Sequence, residues 1–587
     1  MIRTLAPLLA GFAALIATSA PAMAQDSRTY FTARITQSEV PRQLSSSERE
    51  YYDALFTAIE RSNWGEVERL LGERERGLLH DVARAEYYLA ASSPRVELPQ
   101  IERWLETGSA LPQAAQLGRL GVTRGAAQEP NLPRANSLQG QGGLIRRVRP
   151  RPIDDGTMPS SISAAIQERI VNDDPQGARE LLYGIDANLS YEARAEWRQR
   201  VAWSFFIENM DQQALDMALT VQEGDGPWVA EGDWVAGLAA WRLGDCEVSS
   251  QAFQRAAYRA QNPTLRAASL YWGARAAMRC RQPGLADRLL NEATGSDDTL
   301  YGMLANEQLG RTLPDRVETA DFTDADWREV GDIENIRITA ALAEIGRDGL
   351  ASEVLMHQAS IGDPRHYELL SRLARSLGFP QTQLRMAYNA PSGGRADPAS
   401  YYPAPKIQPS GGWQIDPALA FAHILQESAF RPDAVSPASA RGLMQITPIT
   451  VRQHADCVGR PSTAIDVFDQ STNLALGQCN IQMLQRDSAT GGRLPKMMAA
   501  YNAGLTPVRR WENEINDQND PLLYMEAIPY WETREYVAIV TRNYWMYERQ
   551  ARAASSSRQA LAQNDWPLLT NGQAGGNGRV YFLNGAE

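Results

Sequence analysis

The stretch WVAGLAAWRLGDCEVSSQAF, residues 234–253, is echoed by LYWGARAAMRCRQPGLADRL, residues 270–289. Gly237 aligns with Gly273 and Ala252 with Ala286, so the period lies in the mid-thirties. Each copy reads as a helix, a tight turn and a second helix, with small residues beside aromatic ones. That composition suits helix hairpins packed at short range, and the period is that of TPR-like solenoids. Helices this short are marginal alone, so stacking has to bury their faces. Turn signals recur on either side: NDDPQ at 172–176, ENMDQ at 208–212, RLGD at 242–245 and RCRQPG at 279–284.

Helical patterning extends outward from there, from Ile162 to about Leu377, and again over SSEREYYDALFTAIERSNWGEVERLL, residues 46–71, which opens on a serine N-cap. Alternating strand patterns are absent apart from RVYFLN near the C-terminus, so the expected class is all-α. Composition sets off an N-terminal segment 25–44, helical patterning over 45–388 (taken as a helical region 45–339 and a helical stretch 340–388), a Pro/Gly-rich linker 389–412, a new domain 413–552 and a polar, Gly-rich tail 553–587 expected to be flexible. Within the helical region, residues 106–161 read as an irregular excursion. Its segment LQGQGGLIRRVRPRPIDDGTMPSS carries Arg146, Arg147, Arg149 and Arg151, and the expectation is an exposed loop draped over helices.

With 587 residues, 43% of them hydrophobic and 22% charged, a large core is available. The net charge of -12 argues against nucleic acid as a partner, since phosphate binding needs a basic face. The first 24 residues read as a cleavable signal peptide: Arg3, an apolar run from Leu5 to Ile16, then Ala22-Met23-Ala24 before Gln25. Export to an oxidising compartment permits disulfides, and proximity pairs Cys246 with Cys280 and Cys457 with Cys479. Cysteine and histidine spacing gives no metal site, and no cofactor motif occurs.

The new domain begins with Asp416-Pro417, a good helix start, and runs to HILQESAF, residues 423–430. Glu427 then falls in the last turn, at the negative end of the helix dipole and between Ile424 and Phe430. Both features raise a carboxyl pKa, which is what a general acid needs. SPASARGLMQITP (436–448), AYNAG (500–504) and EAIPYWETREYV (526–537) follow. In that order, with QES, these blocks resemble the catalytic domain of the soluble lytic transglycosylases, and the preceding helices resemble the superhelix and linker domain of the large periplasmic members.

The resemblance implies a superhelix (a ring or arc), a helical linker domain and a lysozyme-like catalytic domain. It implies cleavage of the β-1,4 bond between N-acetylmuramic acid and N-acetylglucosamine with formation of a 1,6-anhydro end. Glu427 would be the acid and then the base. Ser436, Gln445, Tyr501, Asn502, Glu526 and Tyr536 would bind or orient substrate, aromatic rings suiting sugar faces. It further implies a periplasmic monomer without cofactors that meets glycan strands and stem peptides, with room for a cell-wall synthase. Three residues depart from the family pattern: Ser439 stands where Gly is usual, Thr447 where Met is usual, and His423 where an aliphatic residue is usual. His423 is expected to point into helix packing and leave catalysis alone. Two other functions compete. One is a goose-type muramidase, with Asp433 or Asp466 as a second acid. The other is an inert cell-wall scaffold.

Overall fold

The computed structural model describes residues 26–36, 39–74, 76–313, 321–571 and 578–581, so the leader expected at 1–24 lies outside the described residues. The architecture is all-α: a helical superhelix followed by a lysozyme-like domain. The described strands form two short antiparallel pairs, Leu138–Gly140 with Asn389–Pro391 and Leu568–Asn571 with Gly578–Tyr581. Among the described residues no helix is long and apolar enough to cross a membrane.

The repeat forms four consecutive stacked helices, Trp228–Leu243, Cys246–Arg259, Pro263–Arg279 and Pro283–Ala293. Gly244 ends the first with φ 81°, and the Asp245 side chain caps the second at the Val248 N–H. The two aligned glycines flank the Phe253 ring. A Cβ on Gly237 would come 2.6 Å from that ring, and one on Gly273 would meet Phe253 Cβ at 3.5 Å. The close approach at Gly237 therefore needs a residue without a side chain, whereas the contact at Gly273 is an ordinary van der Waals one. The Cys246–Cys280 disulfide ties the start of the second helix to the end of the third. Closing a loop of 34 residues contributes about 4 kcal/mol in the chain-entropy account. The second expected disulfide, Cys457–Cys479, is also present.

Three expectations need correction. First, the core does not follow the 45–339 and 340–388 division. Helices between Ser46 and Thr123 share one core with residues 322–390, whereas helices from Ser160 to Gln308 share theirs with the lysozyme-like domain. The first helices are cut off from the stack by the excursion and bury their apolar faces on the returning helices.

Second, the excursion is shorter and less idle than the sequence suggests. Helix Ala114–Thr123 occupies part of it. Beyond that helix its surface is mostly exposed, but its backbone ties three regions together. Leu138–Gly140 pairs with Asn389–Pro391, Arg542 donates to the Ile145 carbonyl, and Trp228 Nε1 donates to the Arg151 carbonyl at 3.0 Å. Arg147 is buried, 2.6 Å from a Glu231 carboxylate oxygen and 3.5 Å from one of Glu526, with its guanidinium over the Trp234 ring. These carboxylates occupy one of the four arginines that the sequence reading placed in an exposed loop.

Third, the described part of the tail is docked. Ser556–Ala562 packs on Leu300–Gln308, Arg558 pairs with Glu307 at 2.7 Å, and Trp566 is buried. The linker 389–412 is likewise held: Tyr402 is buried, and Tyr547 donates to the Pro403 carbonyl at 2.8 Å.

The N-terminal segment contributes a helix, Ser27–Thr36, that lies on the helix Pro417–Glu427. Ser27 Oγ donates to Asp416 Oδ2 at 2.7 Å, and Phe31 sits edge-on to Phe421 at 5.3 Å and to Tyr547 at 6.0 Å. Phe31 is 4% exposed. Replacing Phe31 with Ala should lower unfolding free energy by about 3 kcal/mol, read as a lower urea midpoint at unchanged slope. A loss below about 1 kcal/mol would show that this helix is not part of the cooperative fold.

Candidate active site

The acid-bearing helix starts where the sequence says. Asp416 Oδ1 accepts from the Ala418 N–H at 2.9 Å, and Pro417 occupies the first helical position, where a missing N–H costs nothing. Every residue from Pro417 to Leu425 is buried. The helix ends at Glu427, and the chain reverses through Ala429 and Phe430, both left-handed at φ 50° and 61°. Side chains rarely adopt this conformation, and the buried Phe430 ring, 1% exposed, holds it in place. The reversal leaves Glu427 partly exposed, next to the exposed Gln426, at the end of a helix that is buried up to Leu425.

Burial is the main reason that the Glu427 carboxyl is pushed up to about 7. Tyr536 opposes this by donating to Glu427 Oε1 at 2.6 Å, and the negative charge of Glu532 adds to it. Oε2 accepts no hydrogen bond among the described residues. The group is thus a carboxylic acid that gains and loses its proton near neutrality, with one oxygen held and the other free.

Tyr536 was expected to meet sugar. Instead it is 3% exposed, and its hydroxyl joins Glu427 to His423, whose Nδ1 lies 2.7 Å away. His423 does pack among helices, as expected, but it is not remote from the acid. Its ring centroid is 4.6 Å from that of Tyr501 and 5.9 Å from that of Tyr536. Burial pushes the His423 pKa down to about 3, which keeps it neutral and prevents it from lowering that of Glu427.

Tyr501 lies parallel to Tyr536, centroids 6.4 Å apart, and donates to the Met444 carbonyl at 2.8 Å. Burial and the charge on Glu427 push its pKa up. Asn502 Oδ1 accepts from Thr533 Oγ1 at 2.7 Å, which ties AYNAG to the helix that carries Tyr536.

The 436–448 block is a tightly bonded turn. The Ser436 N–H donates to the Ala440 carbonyl at 2.9 Å, and its hydroxyl accepts from the Ala440 N–H at 3.1 Å. Ser439 is left-handed at φ 62°, a conformation that glycine adopts without strain. Gln445 donates to the carbonyls of Ala434 at 3.2 Å and Gly442 at 2.9 Å, so its amide nitrogen is spent on the loop. Thr447 caps the helix Pro448–His454 through the Thr450 N–H, a role that methionine lacks. Gly442 is required: φ is 74°, and a Cβ would meet Asn473 Nδ2 at 2.3 Å.

Asn473, which the sequence did not single out, organises this loop. It accepts from the Met444 N–H at 2.8 Å and donates to the carbonyls of Arg441 and Val467. No motif marks an asparagine whose partners are all backbone.

Glu526 is the clear misplacement. It is buried against the superhelix, accepting from the Tyr301 hydroxyl at 2.5 Å and facing Arg147. The carboxylate that acts on Glu427 is Glu532, exposed in the first turn of Trp531–Gln550. Its spacing to Tyr536, one helical turn, puts both on one face and could have identified it. The other acids considered, Asp433 and Asp466, are both exposed, and Asp466 accepts from the Phe468 N–H of its own turn at 2.9 Å.

Residues 405–523 match the transglycosylase SLT domain family. The soluble lytic murein transglycosylase of Escherichia coli K12 is 35% identical over 130 residues, which cover 22% of this chain and 20% of that protein. A putative soluble lytic murein transglycosylase of Haemophilus influenzae is 28% identical over 278 residues, 44% of this chain and 43% of that one. The chain thus spans less than half the length of these curated relatives. The fold likeness reaches further. The 70-kDa soluble lytic transglycosylase of Escherichia coli superposes with TM-score 0.52 at 15% identity, over 88% of this chain and 99% of that one. A complex of the 70-kDa enzyme with bulgecin A gives 0.58 at 17% identity, with the same coverage. Residues 405–523 are thus similar to the SLT domain, and the chain as a whole shares the overall fold of the 70-kDa soluble lytic transglycosylase.

Proposed function

We propose that this chain is a peptidoglycan lytic transglycosylase in which Glu427 serves as both acid and base. Protonated Glu427 gives its proton to the oxygen between N-acetylmuramic acid and N-acetylglucosamine. The C1–O bond breaks, N-acetylglucosamine leaves as the alcohol, and the acetamido group of the muramic residue supports the cationic C1. The carboxylate then takes the proton of the muramic C6 hydroxyl, O6 bonds to C1, and Glu427 is again protonated. No water is consumed and no second protein carboxylate is needed.

The single observation that carries this reading is a carboxyl poised at about 7 with one oxygen pinned by Tyr536 and the other free. The leader reading supports a periplasmic setting and the relatives' names support murein as substrate; the proposal takes glycan strands and stem peptides as partners, with a cell-wall synthase as a further one.

Digestion of purified sacculi followed by mass analysis tests it. Anhydromuramic ends are expected, with a rate that falls as pH rises through about 7 and the acid form is lost. A second reading rests on Glu532: as a carboxylate that senses Glu427, it is the candidate to activate water in a muramidase. Reducing muramic ends in place of anhydro ends would replace the first reading with the second.

A further inference from the structure

We propose that His423 is a positioning residue whose ring, protonated on Nδ1, decides which oxygen of Glu427 carries the catalytic proton. The inference rests on the reading of Glu427 as the acid and deepens it. Three groups stand in a row: His423 Nδ1 is 2.7 Å from Tyr536 Oη, and Oη is 2.6 Å from Glu427 Oε1. Both contacts are hydrogen-bond distances, and the tyrosine owns a single proton. One of its neighbours has to supply the other.

With the proton on Nδ1, His423 donates to Oη and the tyrosine hydroxyl is free to donate to Oε1. The proton of Glu427 then sits on Oε2, the oxygen with no protein partner among the described residues. With the proton on Nε2 instead, Nδ1 takes the tyrosine proton. Contact with Glu427 then survives only if the carboxylic acid donates to Oη, which turns the catalytic proton away from substrate. Once Glu427 has ionised it has no proton to give, and two lone pairs would face each other across 2.6 Å. The Nδ1–H form is therefore the one compatible with both halves of an acid-then-base cycle.

His423 is 2% exposed, and the rings packed against it among the described residues, those of Tyr501 and Tyr536, are uncharged. Beyond Tyr536 lie Glu427 and the charge of Glu532. Donation into Oη also polarises the hydroxyl, which makes Tyr536 a stronger donor to the carboxylate.

The test has two arms. In the full-length chain labelled with 15N-histidine, long-range proton–nitrogen correlation reads the ring tautomer of His423, assigned by the signal lost in His423→Asn. The expected result is an Nδ1–H ring, unchanged from about pH 5 to about pH 8. In the second arm, His423→Asn retains a donor N–H near the Nδ1 position and His423→Leu has none. The leucine variant should lose about tenfold in kcat with KM within about twofold, and its alkaline limb should move to higher pH. The asparagine variant should restore both.

An Nε2–H ring overturns the proposal. So do Leu and Asn variants with the same rate and the same limb, which would make His423 packing alone. Should either variant melt far below the parent, the tautomer decides. A parent without lytic activity would instead sink the proposed function, and the tautomer remains readable in it.

Discussion

Replacing Glu427 with Gln is expected to lower the rate of glycan cleavage by about a thousandfold or more while the fold is retained, because it removes the one titratable proton that the proposed chemistry uses. Turnover of sacculi by the variant at the parent rate would show that Glu427 is not the catalyst. The same substitution carries a stability signature of known sign. The Glu427 pKa is about 7 in the folded chain, above the 4.5 of an unperturbed glutamate. Below about 4.5 both states hold the proton, and its stabilising effect is complete. As pH rises through about 7 the folded state is forced to ionise a desolvated group, and that stability is lost. Glutamine does not ionise, so the variant should match the parent near pH 4 and exceed it near pH 8 by on the order of 2 kcal/mol. Equal melting temperatures at both ends would mean that Glu427 is solvated.

Arg147→Met is expected to cost about 3–5 kcal/mol, since it leaves Glu231 and Glu526 buried without the cation that faces both. The guanidinium also lies over Trp234 and Trp531, so packing is lost as well. Its site joins the excursion, the superhelix and the catalytic domain, and the loss should appear as an earlier urea transition with the Glu427 chemistry unchanged per folded molecule. Combining Arg147→Met with Glu231→Gln and Glu526→Gln should recover much of the loss, because no uncompensated carboxylate remains. A triple variant no better than the single one would show that the arginine acts through packing rather than charge.

The sequence made the helical class, the repeat, both disulfides and the acid helix legible, each for a local reason. Gly237 marks close approach, Asp416-Pro417 marks a start, and Cys246 and Cys280 lie on neighbouring helices. What stayed hidden depends on groups far apart in the chain. Tyr301 and Arg147, which hold Glu526 against the superhelix, lie far from it in the chain, whereas the one local mark of Glu532 is its spacing to Tyr536. Tyr536 looked like a sugar platform because its type suits one, and only the fold shows its hydroxyl enclosed between His423 and the acid. The excursion looked like a loop because its composition is that of a loop. Its partners, among them Asn389–Pro391, Arg542 and Trp228, are scattered over hundreds of residues.

The seam between Ser27–Thr36 and the acid helix has a temporal consequence. Ser27 and Asp416 are 389 positions apart, and Tyr547, which also touches Phe31, comes later still. A chain delivered amino end first therefore carries Phe31 without its socket until nearly all the rest has arrived. Joining such distant points is slow compared with closing a hairpin. A segment made early is thus among the last to settle, and the acid helix stays without its cover until its own polypeptide is almost whole.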